Sequence, residues 1–304
     1  MTFALATPAT AAEALRLLAE HPEGTAVLAG GTDLLFDLEE GLNPPERVLS
    51  LRRLPWRAVR WNGSRLTIGA LAPLADVELD AGVQRRLPGL AKAIHAVGSI
   101  ALRHRATLGG NLGRSSPTSD LIPLLLVLDA RLTLVRAGGQ REVTVDAFVR
   151  GSRRTALAPG ELIESVMIPE PLASDYLWQR VRLANDISQV GVAVARGSSA
   201  PEWRIALSGV TPRAVRLPSA EKLLGQGLPA ALALELAAQE AAQRAPFATD
   251  KRATEAYRRR LVYVLVKRAV TSVTEASRPS AATRARRSGK RSPIRGRARG
   301  VRPR

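Results

Sequence analysis

Two pairs of adjacent glycines are the residues best placed to do chemistry, and they would do it by lacking side chains. Gly30–Gly31 lies in VLAGGTDLL at 27–35, and Gly109–Gly110 lies in ATLGGNLGRSSPTSD at 106–120. Each pair follows an apolar run and leads into small polar residues, Thr32 and Asp33 in the first case and Asn111 onward to Asp120 in the second. Adjacent glycines let a backbone turn sharply and approach a ligand with no Cβ in the way. Amide groups left exposed in such a turn can hold an anion, as helix N-termini do. A single pair is equally well explained as a tight turn. Two pairs in matching surroundings point to one shared anionic ligand with a long diphosphate.

Other chemistries lack their residues. The chain has no cysteine, which excludes disulfides, a cysteine-ligated iron–sulfur cluster and a thiolate nucleophile within it. His21, His95 and His104 are the only histidines, and their separations are not those of metal ligands. The dinucleotide fingerprint G-x-G-x-x-G is absent, since Gly225-x-Gly227 has no third glycine, and no P-loop occurs. No Ser–His–Asp array or paired-carboxylate site is evident. A bound redox cofactor accounts for this poverty, because the cofactor then carries the chemistry and the protein supplies position.

The elements that must place the glycines follow from local pattern. Thr10 and Glu13 have capping-box spacing before Ala14, Leu15 and Leu18, which predicts a helix over 11–20 ended by Pro22 and Gly24. A buried strand over 25–29 feeds the first glycine pair, and a short helix begins at 33–35. A strand at 47–51 follows, then a hairpin of strands 58–61 and 65–68 around Asn62–Gly63. A helix is expected over 83–96, and an apolar helix over 120–128 with Pro123 in its first turn. Strands are expected at 131–136, 141–145 and 162–168. Pro169-Glu170-Pro171 breaks the pattern and marks a domain boundary. Beyond it come strands near 176–182, 190–195 and 203–209, a polar loop at 184–188, and helices at 220–224, 230–243 and 249–275. Strands and helices mix without regular βαβ alternation, so the fold class is α+β.

The chain has 304 residues, enough for two domains with sizeable cores. It contains no run of about 18 apolar residues, so no membrane span is expected. Its first residues lack a secretory signal pattern, so the cytoplasm is the expected compartment. The net charge of +18 at first suggests a nucleic-acid partner. Eleven of the 45 basic residues and none of the 27 acidic ones fall within 276–304, which leaves 34 basic against 27 acidic elsewhere, or +7. The charge therefore belongs largely to a tail, 277–304, too poor in large apolar residues to fold alone. That tail is either a disordered extension or an arm for polyanions. The body lacks interleaved aromatics (4% overall), and no nucleic-acid role is expected of it.

The two glycine segments resemble the FAD-binding segments of the medium, flavin-carrying subunit of the molybdenum hydroxylases, the xanthine dehydrogenase and carbon monoxide dehydrogenase family. The resemblance continues, in the family's order, through TIGAL (67–71), DAFVRG (146–151), PGELIESVMIP (159–169) and RLANDISQVGVAVA (182–195). It ends with SGVTPRAVRLPSAE (208–221), Asp250-x-Arg252 and YRRRLVYVLVKRA (257–269), and so covers about 3–275.

The resemblance implies a two-part α+β FAD domain of the PCMH (vanillyl-alcohol oxidase-like) type over 1–169, then a smaller C-terminal α+β domain over 170–276. It places FAD against Val27, Leu28, Ala29, Gly30, Gly31, Thr32, Asp33 and Leu34, and against Thr107, Leu108, Gly109, Gly110 and Asn111. Backbone N–H groups and the Thr32 and Thr107 hydroxyls are the implied phosphate donors. Asp120 matches the family's acidic cofactor contact, although it is also placed to cap the following helix. Asn111 is also suited to a left-handed turn after the glycines. Leu162 or Ile163 would pack by the isoalloxazine, and a loop carrying Asn185 and Asp186 would flank it and govern access of an acceptor.

By the same resemblance, a [2Fe–2S] small subunit and a molybdopterin-binding large subunit are the expected partners. The chain would pass their electrons to NAD, a quinone or oxygen. A stand-alone FAD oxidase or dehydrogenase of the same fold is the alternative, with a tail-borne nucleic-acid role a distant third. Two departures are visible. His104 stands where the family commonly has Asn, and Trp178–Gln179 stand where some members carry a flavin-side lysine, so no charged flavin contact is transferred.

Overall fold

A computed structural model describes residues 3–182, 185–197, 202–210 and 212–277. Most of the basic tail and positions 183 and 184 of the polar loop lie outside the described residues. The chain begins with β1 (Ala4–Ala6), α1 (Ala11–Glu20), β2 (Thr25–Leu28), α2 (Leu34–Glu39) and β3 (Arg47–Ser50). The three strands form a parallel sheet in the order β1-β3-β2. Thr10 caps α1, its Oγ1 accepting from Glu13 N at 3.2 Å, while Glu13 Oε2 reaches back one residue beyond the cap and accepts from Ala9 N at 2.9 Å. Ala14, Leu15 and Leu18 of α1 then bury with Leu49, Leu51 and Leu54.

The middle of the chain runs β4 (Val59–Asn62), β5 (Arg65–Gly69), α3 (Leu74–Leu79), α4 (Ala81–Arg86), α5 (Pro88–His95), α6 (Ile100–Arg103), α7 (Leu108–Arg114) and α8 (Ile122–Val127). It continues as β6 (Arg131–Arg136), β7 (Gly139–Thr144), α9 (Val145–Phe148), β8 (Val149–Gly151), β9 (Arg154–Thr155) and β10 (Leu162–Ile168). An antiparallel sheet of order β4-β5-β10-β6-β7 backs the helices. Gly63 turns the first hairpin at φ +60°, where a side chain would be strained.

The last stretch is β11 (Ala173–Gln179), β12 (Val190–Arg196), β13 (Trp203–Ser208), β14 (Val215–Arg216), α10 (Pro218–Gly225), α11 (Ala230–Arg244) and α12 (Glu255–Ala276). Its strands form an antiparallel meander in chain order. The two faces of β12 are dressed differently, as the period of two requires. Val190, Val192 and Val194 pack with the helices α10–α12, whereas Ala193 and Ala195 join the core built by β5, α5, α8, β6 and β10. The larger core therefore runs from Leu66 to Ala214 without a break at Pro169–Pro171.

Several elements differ from expectation. The helix expected over 83–96 is two helices, α4 and α5, because Pro88 has no N–H to continue the ladder and drives Leu87 out of helical geometry (φ −135°, ψ 56°). Gly109–Gly110 is not a turn: both residues lie in the first turn of α7, behind the N-cap Thr107. Asn111 is helical and not left-handed; Ser115, at the end of α7, takes that conformation instead (φ +51°). The final helix starts at Glu255 and not at 249, since Thr254 provides the cap. The three-residue strand β1 was too short for its pattern to register.

Candidate functional site

The first glycine segment leaves the C-terminal end of β2 and turns into α2. Gly31 has φ +85°, which explains glycine there. Gly30 is required by contact, since a Cβ on it would fall 1.9 Å from the carbonyl oxygen of Arg105. The segment therefore lies directly on the backbone that leads into the second one.

There, Thr107 Oγ1 accepts from Gly110 N at 3.0 Å and opens α7. Gly109 N donates to Ala70 O at 3.0 Å, and a Cβ on Gly109 would come within 2.6 Å of Ala70 Cβ. The second glycine pair thus permits close packing of a helix on the β5 end, and not the sharp bend its sequence suggests. Gly113 faces more open space, where a Cβ would meet only Ile163 Cδ1 at 3.9 Å, whereas a Cβ on Gly110 would lie 3.0 Å from Thr107 Oγ1.

A cleft of about 850 Å³ lies between these segments, at the upper end of the range for small-molecule sites. Val27, Ala29, Gly30, Gly31, Thr32, Asp33 and Leu34 line one side, and Thr107, Gly109, Gly110 and Asn111 another. Asp120, Leu162, Ile163 and Asp186 also reach it, together with Asn185. Leu28 and Leu108 do not line it. Leu28 is half-buried beside Gly31, and Leu108 is fully buried in the larger core, the fate of a large apolar side chain next to a tight packing point.

The structure adds residues that sequence reasoning passed over: Asp37, Val97, Gly98, Ser99, Leu102, Arg114, Ser116, Ser119, Leu157 and Glu161. Gly98–Ser99 carried a usable signal, because Gly98 is left-handed (φ +48°) and Ser99 Oγ caps α6 by accepting from Leu102 N at 3.2 Å. Asp37 and Arg114 carried none, being 77 positions apart.

Asp120 does not cap α8. Ser119 Oγ does so, accepting from Leu121 N and Ile122 N at 3.2 and 3.3 Å. Asp120 instead receives three donors from the last third of the chain. Tyr176 Oη and Ser188 Oγ donate to its Oδ1 at 2.7 and 2.6 Å, and Arg180 Nη2 to its Oδ2 at 2.6 Å. Burial pushes its carboxyl above the ordinary carboxylate value, while Arg180 and the two hydroxyls pull the other way. Burial and the adjacent carboxylate also drive the Tyr176 phenol well above its usual value, so it stays protonated and donating.

Asn111 Oδ1 accepts from Ser119 Oγ at 2.7 Å and so shapes the 116–119 loop. Asp186 spends its oxygens on its own loop, accepting from Arg182 N at 2.8 Å and Ile187 N at 2.9 Å. Those two bonds hold its carboxyl below the usual value. Glu161 is held low by Arg141, which reaches it through Nε and Nη2, both at 2.7 Å. Asp37 is held low by its hydrogen-bonded partner Arg114, whose guanidinium is raised in turn.

Of the carboxylates lining the cleft, Asp37, Asp120, Glu161 and Asp186 accept hydrogen bonds within the chain and the half-exposed Asp33 is ion-paired to Arg114; among the described residues no cluster could hold a metal ion. No described helix is long and apolar enough to cross a membrane. Along the second glycine segment the amides of Gly109, Gly110 and Asn111 are spent on Ala70 O, Thr107 Oγ1 and Thr107 O, so those three are not free to hold a phosphate as expected. Leu157, Leu162 and Ile163 add aliphatic surface to the cleft. Bare glycine backbone at Gly113, where a Cβ would meet only Ile163 Cδ1 at 3.9 Å, fits a closely approaching dinucleotide such as FAD.

Comparison with known proteins agrees. Residues 1–171 match the family model described as the FAD binding domain in molybdopterin dehydrogenase, and 176–273 match the CO dehydrogenase flavoprotein C-terminal domain. The carbon monoxide dehydrogenase medium chain of Hydrogenophaga pseudoflava is 29% identical over 272 residues, 87% of this chain and 94% of that one. The xanthine dehydrogenase FAD-binding subunit of Escherichia coli O157:H7 is 28% identical, over 88% of this chain and 95% of that one. The solved structure of the Hydrogenophaga pseudoflava carbon monoxide dehydrogenase superposes with a TM-score of 0.85 at 29% identity, covering 90% of this chain and 98% of that one. Built around a cleft of this kind and matched along both of its parts, the chain belongs to the molybdenum hydroxylase family as an FAD-binding oxidoreductase subunit.

Proposed function

We propose that the chain relays electrons through FAD in a multi-subunit hydroxylase. It takes them from a [2Fe–2S] small subunit and delivers them to an external acceptor, whether NAD, a quinone or oxygen. A molybdopterin-binding large subunit would oxidise the substrate and feed the iron–sulfur centre. Bound FAD supplies the redox chemistry. The chain's own residues would bind and orient it: Ala29–Asp33, with Thr107, Gly110 and Asn111, along the phosphates, and Leu162 or Ile163 against the ring. Asp120, anchored by Arg180, would make the acidic contact to the cofactor. In this reading 1–169 form the FAD domain and 170–276 its C-terminal companion.

The observation that carries the proposal is the convergence of both glycine segments on one cleft whose carboxylates are all engaged. Such a cleft is built to position a cofactor, with its carboxylates drawn into contacts of the chain itself. The test is co-expression with the candidate small and large subunits, followed by purification. A complex with one FAD per copy of this chain, and an iron–sulfur spectrum bleached on reduction, is expected. A colourless chain that takes up no FAD, alone or with those subunits, would overturn the proposal.

A further inference from the structure

We propose that Arg114 is a positioning residue: it ties the two glycine segments together at one end of the cleft and thereby sets the spacing on which FAD binding depends. The inference rests on the FAD reading above. At the other end of the cleft the segments meet directly, where Gly30 lies on the Arg105 carbonyl. At this end a side chain joins them.

Arg114 is the last residue of α7, and its guanidinium meets Asp37 of α2 with both terminal nitrogens, Nη1 on Oδ2 and Nη2 on Oδ1 at 3.2 Å. Its Nε lies 3.2 Å from Asp33 Oδ1. Asp33 and Asp37 are four residues apart and so lie along one side of α2. The Asp37 and Arg114 side chains are only 12% and 24% exposed, which screens the pair less than a surface pair.

The β8–β9 hairpin completes the junction. Arg153 N donates to Ser115 O at 3.2 Å, Ser115 Oγ donates to Gly151 O at 2.8 Å, and Arg153 Nη2 lies 3.4 Å from Asp37 Oδ1. Ser115 and Arg153 are both left-handed (φ +51° and +56°), a conformation that non-glycine residues seldom adopt. The DAFVRG stretch and the arginines after it thereby buttress the end of the helix that carries the second glycine pair. Arg114 is not itself a bare cation awaiting phosphate, because two carboxylates already match its charge. Its part is the tie.

The test is FAD titration of the full-length chain, followed by flavin fluorescence, for wild type, R114M, R114K, D37N and the R114M/D37N double variant. R114M and D37N should each weaken FAD about tenfold or more, R114K should recover part of the loss, and the double variant should be no worse than the poorer single one. Melting of the FAD-free chain should fall only by what a half-buried ion pair contributes, equally for both single variants and without tracking the loss of FAD affinity. Four results would each overturn the tie: no loss in either single variant, loss in R114M alone (a direct phosphate contact), additive losses, or FAD-free melting that falls in step with affinity. If R114M fails to fold, R114K and D37N decide between the same outcomes. A wild-type chain that refuses FAD would sink the functional reading itself, whereas a wild type and variants that bind alike sink only the tie.

Discussion

At the scale of single residues, the glycines of the cleft divide into two kinds, and they should respond differently to a methyl group. Gly30→Ala drives a Cβ into the Arg105 carbonyl at 1.9 Å, an overpacking that costs about 1–3 kcal/mol or more, and should lower both stability and FAD content. Gly113→Ala meets only Ile163, at 3.9 Å, and sits inside α7, where alanine is favoured over glycine by about 0.5–1 kcal/mol. It should therefore raise the melting temperature of the FAD-free chain while weakening FAD. Thermal melts paired with flavin titrations separate the two.

Glu161 makes a pH prediction. Arg141 holds its carboxyl below the ordinary value in the folded chain, so as pH falls the unfolded chain takes the proton first. Its stabilisation is complete above the unfolded value of about 4.3 and is lost as pH drops through the folded one. Glu161→Gln should lower stability at neutral pH and flatten its decline below about pH 4, as followed by urea unfolding across pH. Asp120 runs the other way: its raised value means that the folded chain gains from protonation as pH falls.

At the scale of elements, two short helices at the cleft, α6 and α7, are each opened by a single side-chain cap, Ser99 and Thr107. Thr107→Val removes the acceptor for Gly110 N and should cost about 1 kcal/mol in chemical unfolding, whereas Thr107→Ser should keep most of it. How much of this was legible depended on range. The α1 cap, the Asn62–Gly63 hairpin and both glycine segments are local patterns, and each lies where its residues indicate. The physical reason for the second glycine pair was not legible, because it is set by Ala70, a residue about 40 positions away that no local rule connects to it. The Asp120 donors lie 56–68 positions downstream and the Arg114–Asp37 pair spans 77, so both wait on the tertiary fold. The break at Leu87–Pro88 is different. Its signal was local, but the apolar spacing of Leu87, Leu90, Ala91 and Ile94 concealed it.

At the scale of the whole molecule, the parts before and after Pro169–Pro171 meet along a charged seam with a consistent polarity. Asp120, Asp129 and Asp146 from the first part pair with Arg180, Arg204 and Arg213 from the second, at 2.6, 2.7 and 2.8 Å. Only Lys92–Asp175, at 2.7 Å, reverses the sense among the described pairs of 3.0 Å or less across the seam. Arg258 of α12 reinforces this arrangement from behind, donating to Gln189 O and Gly209 O, while Gly209 N donates to Pro117 O at 2.9 Å. The tail lies apart from all of this in charge and composition. Its deletion from residue 278 should sharply lower the salt needed to elute the chain from a heparin column, leaving only the weak retention of a +7 body, and leave flavin content unchanged; loss of flavin on truncation would show that the tail serves the cleft.

The three donors that surround Asp120 all arrive from beyond the proline break. A gene cut between the two matched segments would therefore yield an upstream product stripped of those donors, Tyr176 among them, and of Ala193, Ala195, Ala206 and Ala214, with part of its larger core laid bare to water. Such a half should accumulate as inclusion bodies. Yellow, soluble material should return only when both halves are made in the same cell.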